Sequence, residues 1–350
     1  MKSSLLIPCA GLSTRFKTNK PKWALTNPNG KLMLEESIKY LNLQNVKCIY
    51  IIFLKKHIEL LKIKDINNLN ILKNINIPIK YYILDKPTNS QSETIYKCIL
   101  HFKLTGPIFI KDSDNNFKCD IINSNSIVGT NIKNVDEVHN KSFLQINSSN
   151  KIINIVEKKC ISDIICIGGY SFENCKLFVK HYEFLKNQIN SELYISHIIY
   201  NILLKKETSF YLIESNIYND WGTHTMWRKY CSLYKTLFVD IDGTLFISSG
   251  KHFTPKWGET EPIKENINHI NKLYETGKVQ IILTTARTSE YREITINQLK
   301  KYNVKYDTII FDLFHCKRYL INDFNPSTNS YPTAISINLK RNNNNLTDFL

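Results

Sequence analysis

Two apolar runs that each break into a loop of small and charged residues, "LLIPCAGLSTRF" (5–16) and "LFVDIDGTLF" (237–246), constrain this chain more than any other feature. Each opens a fresh alternation of strand-like and helix-like segments. In the first, "SLLIPCA" (4–10), "KCIYIIFL" (47–54), "IKYYILD" (79–85) and "GPIFIKD" (106–112) read as strands, with helical spacing in "EESIKYLNL" (35–43) and "SETIYKCILHF" (92–102). In the second, "TLFVDID" (236–242), "VQIILTT" (279–285), "YDTIIF" (306–311), "RYLIND" (318–323) and "TAISINL" (333–339) read as strands around a helix in "EPIKENINHINKLYETG" (261–277). Such a rhythm predicts mainly parallel sheets covered by helices on both faces. It resets near 228–236, so a chain of 350 residues divides into domains over 1–230 and 234–350.

In "DIDGT", Asp240 ends a parallel strand, where open α/β sheets place their ligands. A carboxylate there can attack phosphorus and form an aspartyl-phosphate. Asp242 can protonate the leaving oxygen and then deprotonate the attacking water. Gly243 permits the tight turn, and Thr244 can fix the loop. Downstream, "IILTTAR" offers Thr285, or its neighbour Thr284, to a phosphate oxygen. "HCKRYLINDF" offers Lys317, with Arg318 adjacent, to neutralise charge, and Asp323 to help Asp240 and Asp242 hold a cation. Carboxylates, water and phosphate form an all-oxygen set that suits Mg²⁺. The order resembles the haloacid dehalogenase (HAD) phosphatase superfamily over roughly 236–325, of the capsule-biosynthesis type. Asn322 stands where that family has a second carboxylate. The short interval between "DGT" and "TTAR" leaves room for a helix but no large cap.

In "IPCAGLSTRFKTNKPKWAL" (7–25), a strand runs into a loop whose amides and small side chains, over Ala10, Gly11, Ser13 and Thr14, can cradle phosphates. Arg15 and Lys22 bring charge to the triphosphate and to a pyrophosphate leaving group. "FIKDSDNNF" puts Asp112 and Asp114 after a strand, and "NDWGT" adds Asp220. Two carboxylates from separate places can hold the Mg²⁺ that phosphate neutralisation calls for.

These stretches resemble the sugar-phosphate nucleotidyltransferase family over most of 1–230, particularly members from capsule and surface-glycan pathways. "NGKLMLEESI" (29–38) matches its G-K-P-M stretch with Leu32 for Pro, and "PTNSQSETIYKCI" (87–99) its base-contacting segment. The resemblance implies that Gln91 and Ser92 lie near the base and that Asp114 is the metal ligand, with Asp112 as neighbour. In "VEKKCISDIICIGGYSF" (156–172), it implies that Lys158 grips the acceptor's phosphate, Glu157 its hydroxyls, and that Gly169 lines the same site.

The two resemblances imply an α/β chain of two domains. One is a Rossmann-like (GT-A-like) mixed sheet; the other is a small HAD-like Rossmannoid domain without a large cap. The implied enzyme is bifunctional: it joins an NTP to a sugar or polyol phosphate and hydrolyses a phosphomonoester of the same pathway. Two other readings compete. Asp112-Ser113-Asp114 is a D-x-D triplet of the kind a GT-A glycosyltransferase uses, though such an enzyme has no triphosphate for Lys22 to grip. A nucleic-acid end-processing protein would use the basic half, which carries +12 of the net +15, but no zinc-finger spacing or basic heptad accompanies that charge. The bland reading of the charge is a lysine-rich solvated surface. Nine cysteines without a Cys-x-x-Cys pair fit reduced thiols. No apolar run approaches ~18 residues, and the first motif leaves no room for a signal peptide, so a cytoplasmic protein is expected. Oligomeric state, base and acceptor are not encoded in these motifs.

Overall fold

The computed structural model describes residues 2–14, 16, 20–66, 72, 75–189, 191–250, 255–323 and 333–350. The chain forms two compact units, Met1–Cys231 and Ser232–Leu350. Among the described residues no helix is long and apolar enough to cross a membrane.

The first unit runs β1 (Ser3–Pro8), α1 (Met33–Ser37), β2 (Leu41–Asn42), β3 (Val46–Leu54), α2 (Lys55–Leu60), β4 (Ile79–Leu84), α3 (Gln91–His101), β5 (Ile108–Lys111), β6 (Asn115–Phe117) and β7 (Cys119–Asp120). It continues through β8 (Ser126–Asn131), β9 (Ser142–Ile146), β10 (Ile152–Glu157), β11 (Ile164–Phe172), α4 (Cys175–Leu185), α5 (Ile195–Leu204), β12 (Tyr211–Glu214), β13 (Tyr218–Asp220) and α6 (His224–Cys231). The main sheet is mixed, in the order β10-β9-β11-β5-β1-β3-β4, with β8 and β12 joined beyond β11. β5, β1, β3 and β4 are parallel, whereas β11 runs antiparallel to β5, β8 and β9.

Continuous apolar strands are buried on both faces. Leu6, Tyr50 and Ile52 point into one core with Ile95 of α3, Phe178 of α4 and Ile198 of α5. Leu5, Ile7, Ile49 and Ile51 point into the other with Trp23 and Phe117. α3 starts at Ser90, whose hydroxyl accepts from the Glu93 amide (3.2 Å), which satisfies one of the helix's open donors. The helix expected over 35–43 stops at Ser37, where the hydroxyl turns back to the Leu34 carbonyl (2.7 Å). Leu41 and Asn42 instead form β2 beside β7. Because β1 and β5 are parallel neighbours, the loops after Pro8 and Lys111 leave from the same edge.

The second unit contains β14 (Lys235–Asp240), α7 (Lys264–Glu275), β15 (Val279–Thr284), α8 (Arg292–Lys301) and β16 (Thr308–Ile310). β14, β15 and β16 are parallel, and Asp240 pairs with Thr284 at the C-terminal ends of β14 and β15. Val239, Ile281 and Leu283 pack with Ile267 and Ile270 of α7 and Leu299 of α8. The strands expected at 318–323 and 333–339 are absent: both segments lack regular structure, and Tyr319, Leu320, Ile321 and Ile335 are exposed. An apolar alternation becomes a strand only where a neighbouring ladder takes its amides and carbonyls.

Candidate active site

In the first unit the loop after β1 folds back on itself. Ser13 adopts φ +55°, and its hydroxyl accepts from the Lys22 amide (3.1 Å). Its carbonyl accepts from the Phe16 amide (2.9 Å). Gly11 and Thr14 are exposed and Ala10 is buried. Arg15 lies outside the described residues. Lys22 opens a single 3₁₀ turn, Lys22–Ala24, seated on buried Trp23. From there its Nζ reaches Asp114 Oδ2 at 2.5 Å, joining the loops of β1 and β5.

Asp114 is held from its other side by β13. The Asp114 carbonyl accepts from the Trp221 amide (2.8 Å), and Asp220 is in register with Asn115 across β13 and β6. Trp221 is fully buried against Trp227 and Tyr230 of α6, with ring centroids 5.2 and 4.8 Å away. Asp220 Oδ1 accepts from the Gly222 amide (2.9 Å), and Oδ2 pairs with Lys141. Two acidic strand ends thus meet, and each carboxylate carries a lysine.

Asp112 faces elsewhere. Its Oδ1 accepts from Gln91 Nε2 (2.5 Å), and burial, reinforced by nearby Asp114, pushes its carboxyl up to about 6. Gly168, at φ +85°, lies against this carboxylate, which a Cβ there would overlap. Lys111, fully buried, points under the turn. Its Nζ donates to the Asp112 carbonyl (2.6 Å), the Asn115 carbonyl (2.9 Å) and Asn115 Oδ1 (2.5 Å), and burial drives its ammonium down to about 7.

Ser92 is fully buried, with its hydroxyl bonded to the Leu193 carbonyl and to Ser90. Gly169 is a packing glycine, since a Cβ there would sit 2.6 Å from Phe117 Cζ and from Val128 Cγ2; its neighbour Gly168 is the one beside Asp112. Glu157, at the end of β10, accepts from Ser142 (2.5 Å) and Ser196 (2.7 Å). Lys158, at φ +56°, donates from Nζ to the Tyr194 hydroxyl (2.6 Å).

In the second unit, Asp240 accepts from Arg318 (2.9 Å), which also donates to Thr284 (3.0 Å). Burial raises the Asp240 carboxyl and Arg318 opposes that rise. Asp242 accepts two parallel hydrogen bonds from Arg287, at 2.9 and 2.8 Å. Arg287 is fully buried and also donates to Thr295 and Gln298. Thr285 lies at 3.4 Å from Asp242 and accepts from the Arg287 amide (3.0 Å). Lys317 and Asp323, expected beside Asp240, are both exposed on the coil that replaces the expected strand. Among the described residues neither contacts Asp240 or Asp242; Arg318 makes the contact assigned to Lys317.

Sequence reasoning missed Lys141, Gly168 and Arg287 as site residues, and named Arg318 only as the neighbour of Lys317. Arg287 and Arg318 were within quoted motifs, Gly168 was one of a Gly-Gly pair, and Lys141 had no local signal at all.

Among the described residues no three His, Cys, Asp or Glu side chains are grouped to hold a metal ion. Mg²⁺ needs less: one or two carboxylates, with water and substrate phosphates completing its shell. Asp114 and Asp220 fit that requirement, each already offering its oxygens to a cation, the ammonium of Lys22 or Lys141.

The fold of the first unit is that of nucleotidyltransferases, α/β with a mixed sheet. Among solved structures, the chain is similar to a nucleoside-diphosphate-sugar pyrophosphorylase from Vibrio cholerae RC9 (TM-score 0.54, 20% identity, 65% of this chain and 99% of that one). It is likewise similar to the CTP:phosphocholine cytidylyltransferase of Streptococcus pneumoniae (0.50, 18%, 67% and 99%) and the inositol-1-phosphate CTP transferase of T. maritima (0.50, 10%, 64% and 91%). The covered share is about what Met1–Cys231 makes up. No family model and no curated protein matches the sequence.

Proposed function

We propose that residues 1–230 transfer a nucleotidyl group from an NTP to a sugar or polyol phosphate and release pyrophosphate. Residues 234–350 then form a phosphatase of the same surface-glycan precursor pathway. The observation that carries the first part is the Lys22–Asp114 contact at 2.5 Å, which brings the phosphate-loop lysine to the acidic strand end. Three solved structures of this fold are described as a nucleoside-diphosphate-sugar pyrophosphorylase and two cytidylyltransferases or CTP transferases, which supports the same reading.

In this reading the loop over Ala10–Thr14 holds the triphosphate, and Lys22 neutralises the β- and γ-phosphates as they leave. Glu157 and Lys158 hold the acceptor's hydroxyls and phosphate. An oxygen of the acceptor's phosphate attacks the α-phosphorus in line; the new P–O bond forms as the bond to pyrophosphate breaks. Asp114 and Asp220 would hold Mg²⁺, which supplies charge neutralisation to the phosphates. A glycosyltransferase would use Asp112 and Asp114 on one ligand. The separate partners of these carboxylates, Gln91 and Lys22, weigh against that alternative.

In the second domain, Asp240 attacks the phosphorus of a monoester, and the leaving oxygen takes a proton from Asp242. Water, deprotonated by Asp242, then hydrolyses the aspartyl-phosphate. Arg318 neutralises charge at the nucleophile. The nine cysteines are free, which suits a reducing cytoplasm.

A matrix of the four NTPs against sugar and polyol phosphates, with pyrophosphate and inorganic phosphate scored separately, tests both halves. Pyrophosphate should appear for one NTP–acceptor pair. Hydrolysis of an NDP-sugar with no pyrophosphate from any pair would overturn the first half. Absence of phosphate release from every monophosphate and bisphosphate in the panel would overturn the second.

A further inference from the structure

Lys141 precedes β9 and belongs to no recognised motif. Its backbone is part of the strand pair that carries Glu157 and Lys158: the Lys141 carbonyl accepts from the Lys158 amide (2.9 Å), and Ser142 is in register with Glu157. Its side chain leaves that pair and points to the acidic strand end. There Nζ forms an ion pair with Asp220 and donates to the Tyr218 hydroxyl (2.8 Å), over the Tyr218 ring. The side chain keeps about a fifth of its surface exposed.

We propose that Lys141 is a further substrate-binding residue, which grips the acceptor's attacking phosphate and hands it from the Glu157–Lys158 segment to the Asp114–Asp220 pair. This rests on the nucleotidyl-transfer reading above. The physical reason is charge. Four or more negative charges converge when a triphosphate meets a phosphomonoester, and the two phosphates repel each other unless cations stand between them. Lys22 serves the nucleotide's side. Lys141 is the lysine whose backbone is fixed to the acceptor segment and whose ammonium reaches the catalytic carboxylates. Tyr218 holds the ammonium in place when Asp220 turns to other partners, so the cation is oriented before substrate arrives.

The test uses the full chain and two readouts. Titration calorimetry with inorganic phosphate compares wild type, Lys141→Met and Lys141→Arg; any phosphate bound elsewhere is common to all three. The expected result is at least fivefold weaker binding for Lys141→Met and near-wild-type binding for Lys141→Arg. Steady-state kinetics with the NTP–acceptor pair found active should show the acceptor KM rising tenfold or more in Lys141→Met, with the NTP KM within twofold. Unchanged phosphate binding would overturn the proposal. So would a fall in kcat alone at unchanged acceptor KM, since that marks a lysine that only positions Asp220. If wild type releases no pyrophosphate with any pair, the nucleotidyl-transfer reading fails. The calorimetry still decides whether Lys141 binds phosphate.

Discussion

The two units each end apolar strands in a pair of aspartates, yet they hold those carboxylates differently. In the first, Asp114 and Asp220 are each met by one lysine, through a single ammonium on a flexible stem. In the second, both carboxylates are met by arginines, and Asp242 is clamped through both oxygens by a guanidinium with no surface exposure. A lysine yields its partner readily to a competing cation or phosphate, whereas a bidentate fork fixes geometry. The fork therefore fixes Asp242, whereas Asp240 has a single, part-exposed contact with Arg318 that resembles the lysine contacts of the first site. Asp242 can give a proton to a leaving oxygen only once Arg287 releases one of its two contacts.

That contrast can be broken at several points. The largest effect is expected for Asp220→Asn, which removes a carboxylate from the exchangeable pair: pyrophosphate formation should fall by about 10²–10³, with phosphate release unchanged. Equal loss of both signals would show that the sites are not separate. Next, Arg318→Ala should lower phosphate release by about 10², whereas Lys317→Ala should leave it within about twofold. The reverse ranking would return the neutralising role to Lys317 and imply that the 318–323 segment rearranges with substrate. Third, Arg287→Met leaves Asp242 without its buried partner and should cost the second unit about 3–5 kcal/mol. Calorimetry should resolve this as one early-melting transition beside an unshifted one. Concerted loss of both transitions would contradict two independently folded units.

The strand ends were legible in the sequence because continuous apolar runs and loop residues mark them locally. β1, β3, β4 and β5 fall within two residues of where the pattern puts them. Lys22 and Asp114 were picked out by the basic loop and the Asp-Ser-Asp triplet, with Asp114 preferred to Asp112 by the family resemblance alone. Lys141 and Gly168 were not, because their roles come from contacts across β9, β10 and β11 that spacing does not encode. The antiparallel half of the main sheet was hidden from the strand–helix rhythm, although the resemblance implied a mixed sheet: β8 to β11 are joined with no crossover α-helix to announce direction. Residues 318–323 misled for the opposite reason. Their alternation is strand-like, but no ladder takes them up, and Ile321 is 95% exposed.

The smallest effect concerns Lys111, buried beneath the first unit's acidic turn. Its ammonium loses its proton near pH 7 in the folded chain, against 10.5 when unfolded. Between those values the unfolded chain holds the extra proton, so this group's contribution makes stability rise with pH. Below about 7 both states are protonated and the contribution is flat. The unfolding free energy of wild type minus that of Lys111→Met, from denaturant titrations, should therefore climb from pH 7 to pH 9, with a slope no greater than about 1.4 kcal/mol per unit. A flat difference would mean that the buried lysine stays charged throughout, held by its three oxygen contacts.

The central claim is that one chain carries two separate phosphate chemistries, and a two-signal assay of Asp114→Asn and Asp240→Asn tests it most directly. With the active NTP–acceptor pair and its phosphorylated precursor, Asp114→Asn should lose pyrophosphate release and keep phosphate release. Asp240→Asn should do the opposite. Pyrophosphate release undiminished in Asp114→Asn, or phosphate release undiminished in Asp240→Asn, would contradict the account.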